Sequence, residues 1–161
     1  QLFATLDPVT RRVRLPSGRE VLLTDTVGFI QKLPTQLVAA FQATLEELAE
    51  ADLLLHVIDI THADAAQQSQ TVDDTLAQLG LSEKPAVTAL NKVDALVEDG
   101  DGSGPTLDDL SAYDLSLAAH RPDAVLISAE TGWGLDQLLE RIDAALEFQA
   151  TAEPAGRRTR A

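Results

Sequence analysis

The 161-residue chain has no cysteine, no methionine, one tryptophan, one tyrosine and four phenylalanines. Without thiols there are no disulfides, no thiolate metal centres and no cysteine redox chemistry, a pattern compatible with a reducing compartment. With few aromatics, the core must be built from Leu, Val, Ile and Ala, within an apolar content of 45%. Lysine is scarce as well, occurring only at Lys32, Lys84 and Lys92, and 12 basic residues face 26 acidic ones for a formal charge of −14. That charge repels nucleic acid at ordinary salt and argues against a DNA partner. It suits concentrated salt, where the screening length falls to about 3 Å at 1 M; an acidic surface without salt adaptation is the alternative. No run approaches the roughly 18 uninterrupted apolar residues of a spanning helix, and no basic-then-apolar leader opens the chain, so a cytoplasmic protein without a membrane span is expected. A chain opening on Gln1-Leu2-Phe3 without methionine reads as part of a longer product.

What is present is an alternation of β-prone and helical segments. Arg12 to Leu15 and Glu20 to Thr24 are short β-prone runs joined by Pro16-Ser17-Gly18, a hairpin chemistry. Leu37, Val38, Phe41, Leu45 and Leu48 recur at helical spacing over Thr35 to Ala49. Leu53 to Ile58 has the pattern of a strand buried on both faces, with His56 as a satisfied core histidine. A helix is expected over Asp64 to Leu79, stopping at Gly80, followed by a buried strand over Ala86 to Leu90. Glu98 to Thr106 reads as a solvated loop, with an acidic Ca²⁺ loop as a weaker alternative because its closing Glu is missing. A helix over Leu107 to Ala119, a strand over Ala124 to Ile127 and a last helix striped by Leu135, Leu138, Leu139, Ile142 and Leu146 complete the order. Beyond Phe148 a short tail carries Arg157, Arg158 and Arg160, read as solvated or as an RNA contact.

Three short segments carry the chemistry, each at the carboxyl end of an expected strand, where open α/β sheets bind their ligands. They are Asp25-Thr26-Val27-Gly28, Asn91-Lys92-Val93-Asp94 and Ser128-Ala129-Glu130-Thr131-Gly132. A carboxylate at Asp94 offers two coplanar acceptors to the ring N1–H and 2-amino group of guanine, and adenine would leave it unpaired. Asn91 can brace the loop and approach N7, the Lys92 stem can lie along the ring, and backbone N–H groups around Ser128 and Ala129 can meet O6. Asp25 would hold Mg²⁺ through a water and the Gly28 amide would meet a γ-phosphate, so that loss of the phosphate releases the segment that follows. Singly, each motif also occurs as a loop cap; in this order they read as a guanine-nucleotide site. The Gly-x-x-x-x-Gly-Lys-Ser/Thr loop that should precede them is absent from the 161 residues.

These residues resemble the HflX-type GTPases of the wider Obg-like translation-factor group over nearly the whole chain. The resemblance rests on Gln1-Leu2-Phe3-Ala4-Thr5-Leu6-Asp7-Pro8 with Thr10-Arg11-Arg12, on Asp25 to Ile30 with Leu33-Pro34, and on Ala40-Phe41 with Ala43 to Glu47. It implies that Thr5 ligates Mg²⁺ and caps the γ-phosphate, that Phe3, Ala4, Thr5, Leu6 and Asp7 line the nucleotide, and that GTP or GDP binds with Asp25, Thr26, Val27, Gly28, Asn91, Lys92, Val93, Asp94, Ser128, Ala129 and Glu130. Catalysis would rest on Thr5 and Gly28. Phe29 stands where many GTPases carry a water-orienting Gln, and it cannot order water by hydrogen bonding, so slow intrinsic hydrolysis stimulated by the ribosome is implied.

The expected fold is α/β, a P-loop NTPase-type G domain built as a three-layer sandwich with a mostly parallel sheet. Relatives with this fold order their strands 2-3-1-4-5-6, so the chain is expected to be missing its first, central strand and its first helix. Residues 1–148 would form the partial G domain and 149–161 a disordered basic tail. Buried strand faces without partners then imply that the isolated chain folds poorly and binds GTP weakly. The expected partner is the large ribosomal subunit, with rRNA contact at Arg11, Arg12, Arg14 and Arg19 set against a merely solvated hairpin, and the protein is expected to be a monomer. The competing class is a non-catalytic interaction module with a vestigial guanine pocket.

Overall fold

A computed structural model describes residues 9–26, 46–95, 121 and 123–152. The expected helices over 35–45 and 107–119, the loop over 98–106 and the end of the tail lie outside the described residues. Pro16-Ser17-Gly18 does join two antiparallel strands, β1 (Thr10–Arg14) and β2 (Glu20–Thr24), with Val13 opposite Val21 and Arg12 opposite Leu22. The turn closes through the Leu15 N–H to the Arg19 carbonyl at 2.8 Å and the Gly18 N–H to the Leu15 carbonyl at 2.9 Å. Residues 46–50 are helical and bury Leu48, matching the end of the first amphipathic stripe.

The second sheet is parallel and three-stranded, in the order β3 (Leu54–Asp59), β4 (Ala86–Asn91) and β5 (Val125–Leu126). Helix α1 (Ala65–Gln78) connects β3 to β4, and α2 (Leu135–Ala152) follows β5. Parallel neighbours need such crossovers, and the β4 run Val87 to Leu90 is buried throughout, as a strand covered on both faces should be. Among the described residues the hairpin is not paired with this sheet.

Two apolar clusters hold the sheet. Leu15 from the hairpin turn joins Val87, Ala89, Val125, Ile127, Leu138 and Ile142 on one face. Ile58, Ala65, Leu90, Val93 and Leu126 form the other, with Trp133 packed against them. A fully buried aliphatic side chain such as Leu90 contributes about 1.5–3 kcal/mol of transfer free energy. On α1 the covered stripe is Ala65 and Ser69, so its small residues face the sheet while Val72 and Leu76 are half-covered.

Three expectations change. β3 is not buried on both faces: Leu54 and Ile58 on one face are buried, but Val57 on the other is 52% exposed. His56 is not a satisfied core histidine, since its buried Nδ1 has no hydrogen-bond partner among the described residues. The last helix runs past Phe148 to Ala152. The Thr151 hydroxyl bonds back to the Phe148 carbonyl at 2.9 Å and the Gln149 amide reaches the Asp52 carbonyl at 2.9 Å, which ties residues 149–151 to the helix and to the sheet side.

Candidate functional site

The hairpin that leads to Asp25 is held by α2. The carboxylate of Asp143, 7% exposed on α2, accepts the Ser17 backbone N–H at 2.7 Å and the Ser17 hydroxyl at 2.8 Å. This contact ties the hairpin turn to the middle of α2. Asp25 follows the last residue of β2, is exposed, and donates its N–H to the Val9 carbonyl at 2.9 Å, so the end of the hairpin is closed behind it.

At the carboxyl end of the parallel sheet β4 ends in Asn91, and the chain turns sharply at Lys92, whose φ of 71° lies in the left-handed region that side chains disfavour. The turn is fixed from below by Val93, 0% exposed, which opens a 3₁₀ turn (Val93–Ala95) and donates its N–H to the Ile127 carbonyl at 3.3 Å. Val93 thus anchors the loop in the core, and Asp94 beside it is exposed. The loop after β5 is braced in a similar way. Ser128, 0% exposed, donates its N–H to the Trp133 carbonyl at 2.9 Å, accepts the Gly132 N–H on its own carbonyl at 2.9 Å, and accepts the Thr131 N–H on Oγ at 3.1 Å. Gly134 closes the loop against β5 at φ +75°, where a Cβ would come within 2.2 Å of the Leu126 carbonyl oxygen, so only glycine fits.

Besides the Val93 bond to Ile127, a side chain joins the two loops: Asn91 Oδ1 accepts the Ala129 N–H at 3.0 Å, across 38 residues of chain. In this structure the Ser128 N–H is bonded to the Trp133 carbonyl and the Ala129 N–H to Asn91 Oδ1. Glu130 lies exposed next to them.

Electrostatics single out one pair. Lys92 Nζ lies 2.7 Å from Asp59 Oδ2, at the end of β3. Burial would push the Asp59 carboxyl up, but hydrogen bonds from Lys92 and Thr61 and the lysine charge outweigh it and hold the carboxyl below its usual range. The bond to Asp59, and its charge, raise the Lys92 ammonium in turn. Asp59, Thr61 and Trp133 lie outside the motifs read from sequence. The available signal was that Asp59 ends the apolar β3 run at a carboxyl edge, as Asn91 ends β4.

Thr26 is described and half-buried. Phe3, Ala4, Thr5, Leu6, Asp7, Val27, Gly28 and Phe29 lie outside the described residues. For Mg²⁺, the described candidate is Asp25, a hard oxygen donor just past the end of β2. Among the described residues no three His, Cys, Asp or Glu side chains are grouped so as to hold a metal ion. A separate cavity of about 400 Å³, lined in part by Thr88, Arg121, Asp123 and Arg141, lies at the opposite, amino-terminal edge of the sheet. No helix among the described residues is long and apolar enough to cross a membrane.

Set beside known proteins, residues 1–92 match the model of the 50S ribosome-binding GTPase family. The chain is similar to proteins named GTPase HflX: 46% identical over 146 residues to that of Caldanaerobacter subterraneus subsp. tengcongensis, covering 91% of this chain and 30% of the relative. It is 49% identical over 139 residues to that of Chlamydia pneumoniae, covering 86% and 27%. With that of Escherichia coli strain K12 the identity is 41% over 142 residues, covering 88% and 31%. The chain thus spans about a third of the length of these relatives. Among solved structures it is similar to the G235S variant of SsGBP, with a TM-score of 0.65 and 30% identity over 91% of this chain and 49% of that one.

Proposed function

The chain belongs to the 50S ribosome-binding GTPase family and is of the HflX type, and from that premise we propose that it supplies the guanine pocket and switch segments of a GTP hydrolase acting on the ribosome. The observation that carries this reading is the Asn91 Oδ1 to Ala129 N–H bond at 3.0 Å, which holds the Asn-Lys-x-Asp loop and the Ser-Ala loop as one unit. In that unit Asp94 accepts the N1–H and 2-amino donors of guanine, and the Lys92 stem lies along the ring. As the base enters, Asn91 turns toward N7 and the Ala129 N–H exchanges its Asn91 partner for O6.

Toward the phosphates, Asp25 and Thr5 would hold Mg²⁺ and the Gly28 amide would meet the γ-phosphate. When bound, the ion offsets charge on the phosphate oxygens. Phe29 leaves the attacking water without a hydrogen-bonding side chain at that position, so hydrolysis depends on the large ribosomal subunit to order it. The protein acts as a monomer in the cytoplasm, and concentrated salt would screen the self-repulsion of the chain's −14 charge. Arg12 and Arg14 both lie within 4 Å of Glu20, at 3.7 and 3.6 Å, and stay largely exposed, which leaves the hairpin face open to rRNA phosphates.

The test is GTP against ATP binding by this chain and by a form extended upstream through the native reading frame, at low and at multimolar KCl. GTP-selective binding by the extended form, with hydrolysis accelerated by ribosomes, is the expected result. If neither form binds GTP, the pocket is vestigial and the chain is an interaction module. Asp94→Asn provides a second arm: an amide donates where the carboxylate accepted, so binding should shift from guanine toward xanthine, whose 2-oxo group accepts.

A further inference from the structure

Asp59 belongs to none of the three motifs, yet strand register places it at the site. The parallel pairing of β3 with β4 sets Asp59 opposite Asn91, the residue before Lys92, and the Ile60 N–H closes the same edge on the Asn91 carbonyl at 3.2 Å. The two carboxylate oxygens are then divided. Oδ2 accepts from Lys92 Nζ at 2.7 Å, while Oδ1 accepts the Thr61 N–H at 3.0 Å and the Thr61 hydroxyl at 2.6 Å. The turn after β3 therefore fixes the carboxylate independently of the lysine, and the fixed carboxylate fixes the lysine.

Lys92 requires such a hold. Its backbone sits at φ 71°, its side chain is 54% exposed, and a free lysine stem samples many rotamers. We propose that Asp59 is a positioning residue for nucleotide binding: held by Thr61, it pins Lys92 so that the lysine's four-carbon stem forms one wall of the purine slot. This rests on the guanine reading of the Asn91 to Asp94 loop. It adds that the lysine acts through its stem, with its charge answered by Asp59 and not by nucleotide phosphate. GDP and GTP should then feel the loss of Asp59 equally.

The experiment uses the protein extended upstream through its native reading frame, with GDP and GTP affinities measured by calorimetry and steady-state kcat and KM beside them. Asp59→Ala should weaken GDP and GTP alike by about three- to fivefold, the scale of a partly exposed ion pair, and raise KM by more than it lowers kcat. Thr61→Val, which keeps the backbone N–H and the side-chain shape, should weaken both by about twofold. On a Lys92→Ala background, Asp59→Ala should have no further effect, since the stem it positions is gone. Unchanged affinities in Asp59→Ala, loss of GTP but not GDP binding, or additive effects of Asp59→Ala and Lys92→Ala would each overturn the proposal. If the wild-type protein binds no guanine nucleotide, the guanine reading fails and takes this inference with it; wild-type binding with an inert Asp59→Ala sinks the inference alone.

Discussion

Replacing Asp143 by alanine should loosen the β1–β2 hairpin while leaving the β3–β4–β5 sheet as it is. The carboxylate accepts two hydrogen bonds from Ser17, at 2.7 and 2.8 Å, across 126 residues of chain. A hydrogen bond to a charged acceptor contributes about 1.5–3 kcal/mol, but Ser17 is exposed and its freed donors can turn to water, so about 2 kcal/mol is the expected net loss. Leu15, 3% exposed in the core cluster, still holds the turn, so the hairpin opens more often and does not detach permanently. Amide hydrogen exchange reads such local opening directly and needs no whole-protein unfolding transition. In the protein extended upstream through its native frame, 2 kcal/mol corresponds to roughly thirtyfold faster exchange. It should appear at Leu15 and Gly18, whose N–H groups close the turn, while Ile127, bonded to the Leu90 carbonyl at 2.8 Å, keeps its rate. Ser17→Ala removes only the hydroxyl bond and should give about half the free-energy effect. Equal acceleration at Leu15 and Ile127 would mean that Asp143 supports the whole fold, and no acceleration at either would mean that the contact carries nothing; either result refutes the anchoring argument.

Other consequences are checked more briefly. Burial, and secondarily the charge of Arg121, hold His56 below its ordinary pKa of 6.5 against the opposing pull of Asp73, so the folded protein keeps His56 neutral where the unfolded chain takes up a proton. Stability is therefore intact above about pH 6.5 and falls as pH drops below it, by at most about 1.4 kcal/mol per unit for one proton, and urea titrations should show His56→Leu with a flatter profile over that window. A persisting slope in His56→Leu would assign the pH dependence to other groups. Gly134→Ala should cost about 3 kcal/mol or more, because the new Cβ meets backbone at 2.2 Å as well as adopting φ +75°, whereas Gly132→Ala, at φ +83° but with open space around it, should cost only about 1 kcal/mol. Comparable melting temperatures for the two variants would contradict this. Asn91→Ala removes the acceptor of the Ala129 N–H and should weaken guanine-nucleotide binding about tenfold, measured by calorimetry; full affinity would show that the two loops keep their places without it.

Sequence by itself determined the kinds and order of the elements and where the motif loops fall. Strand runs such as Ala86 to Leu90 and helical stripes such as Leu135 to Leu146 are local patterns, and the short-range chemistry that writes them also ends them at Asp25, Asn91 and Ser128. The family was legible for the same reason, since the motifs are contiguous; the family model spans residues 1–92, which hold the first motif and the start of the second. Strand ends were read within one or two residues, because the outermost pairs depend on the neighbouring strand: Asp59 and Asn91 each extend a strand that apolar patterning stopped one residue early, and they do so by pairing with each other. Val57 was assigned to the interior because an apolar run does not say whether both faces of its strand are covered. The exposure of Val57 on β3, the lack of a partner for His56 Nδ1 among the described residues, the use of Ala129 N–H by Asn91, the Asp59–Lys92 pair and the Ser17–Asp143 anchor belong to tertiary structure. Each joins residues that lie 33 or more positions apart, or depends on which neighbour covers a face. No local window contains those partners; they meet only when parallel register and the packing of α2 bring separate elements together.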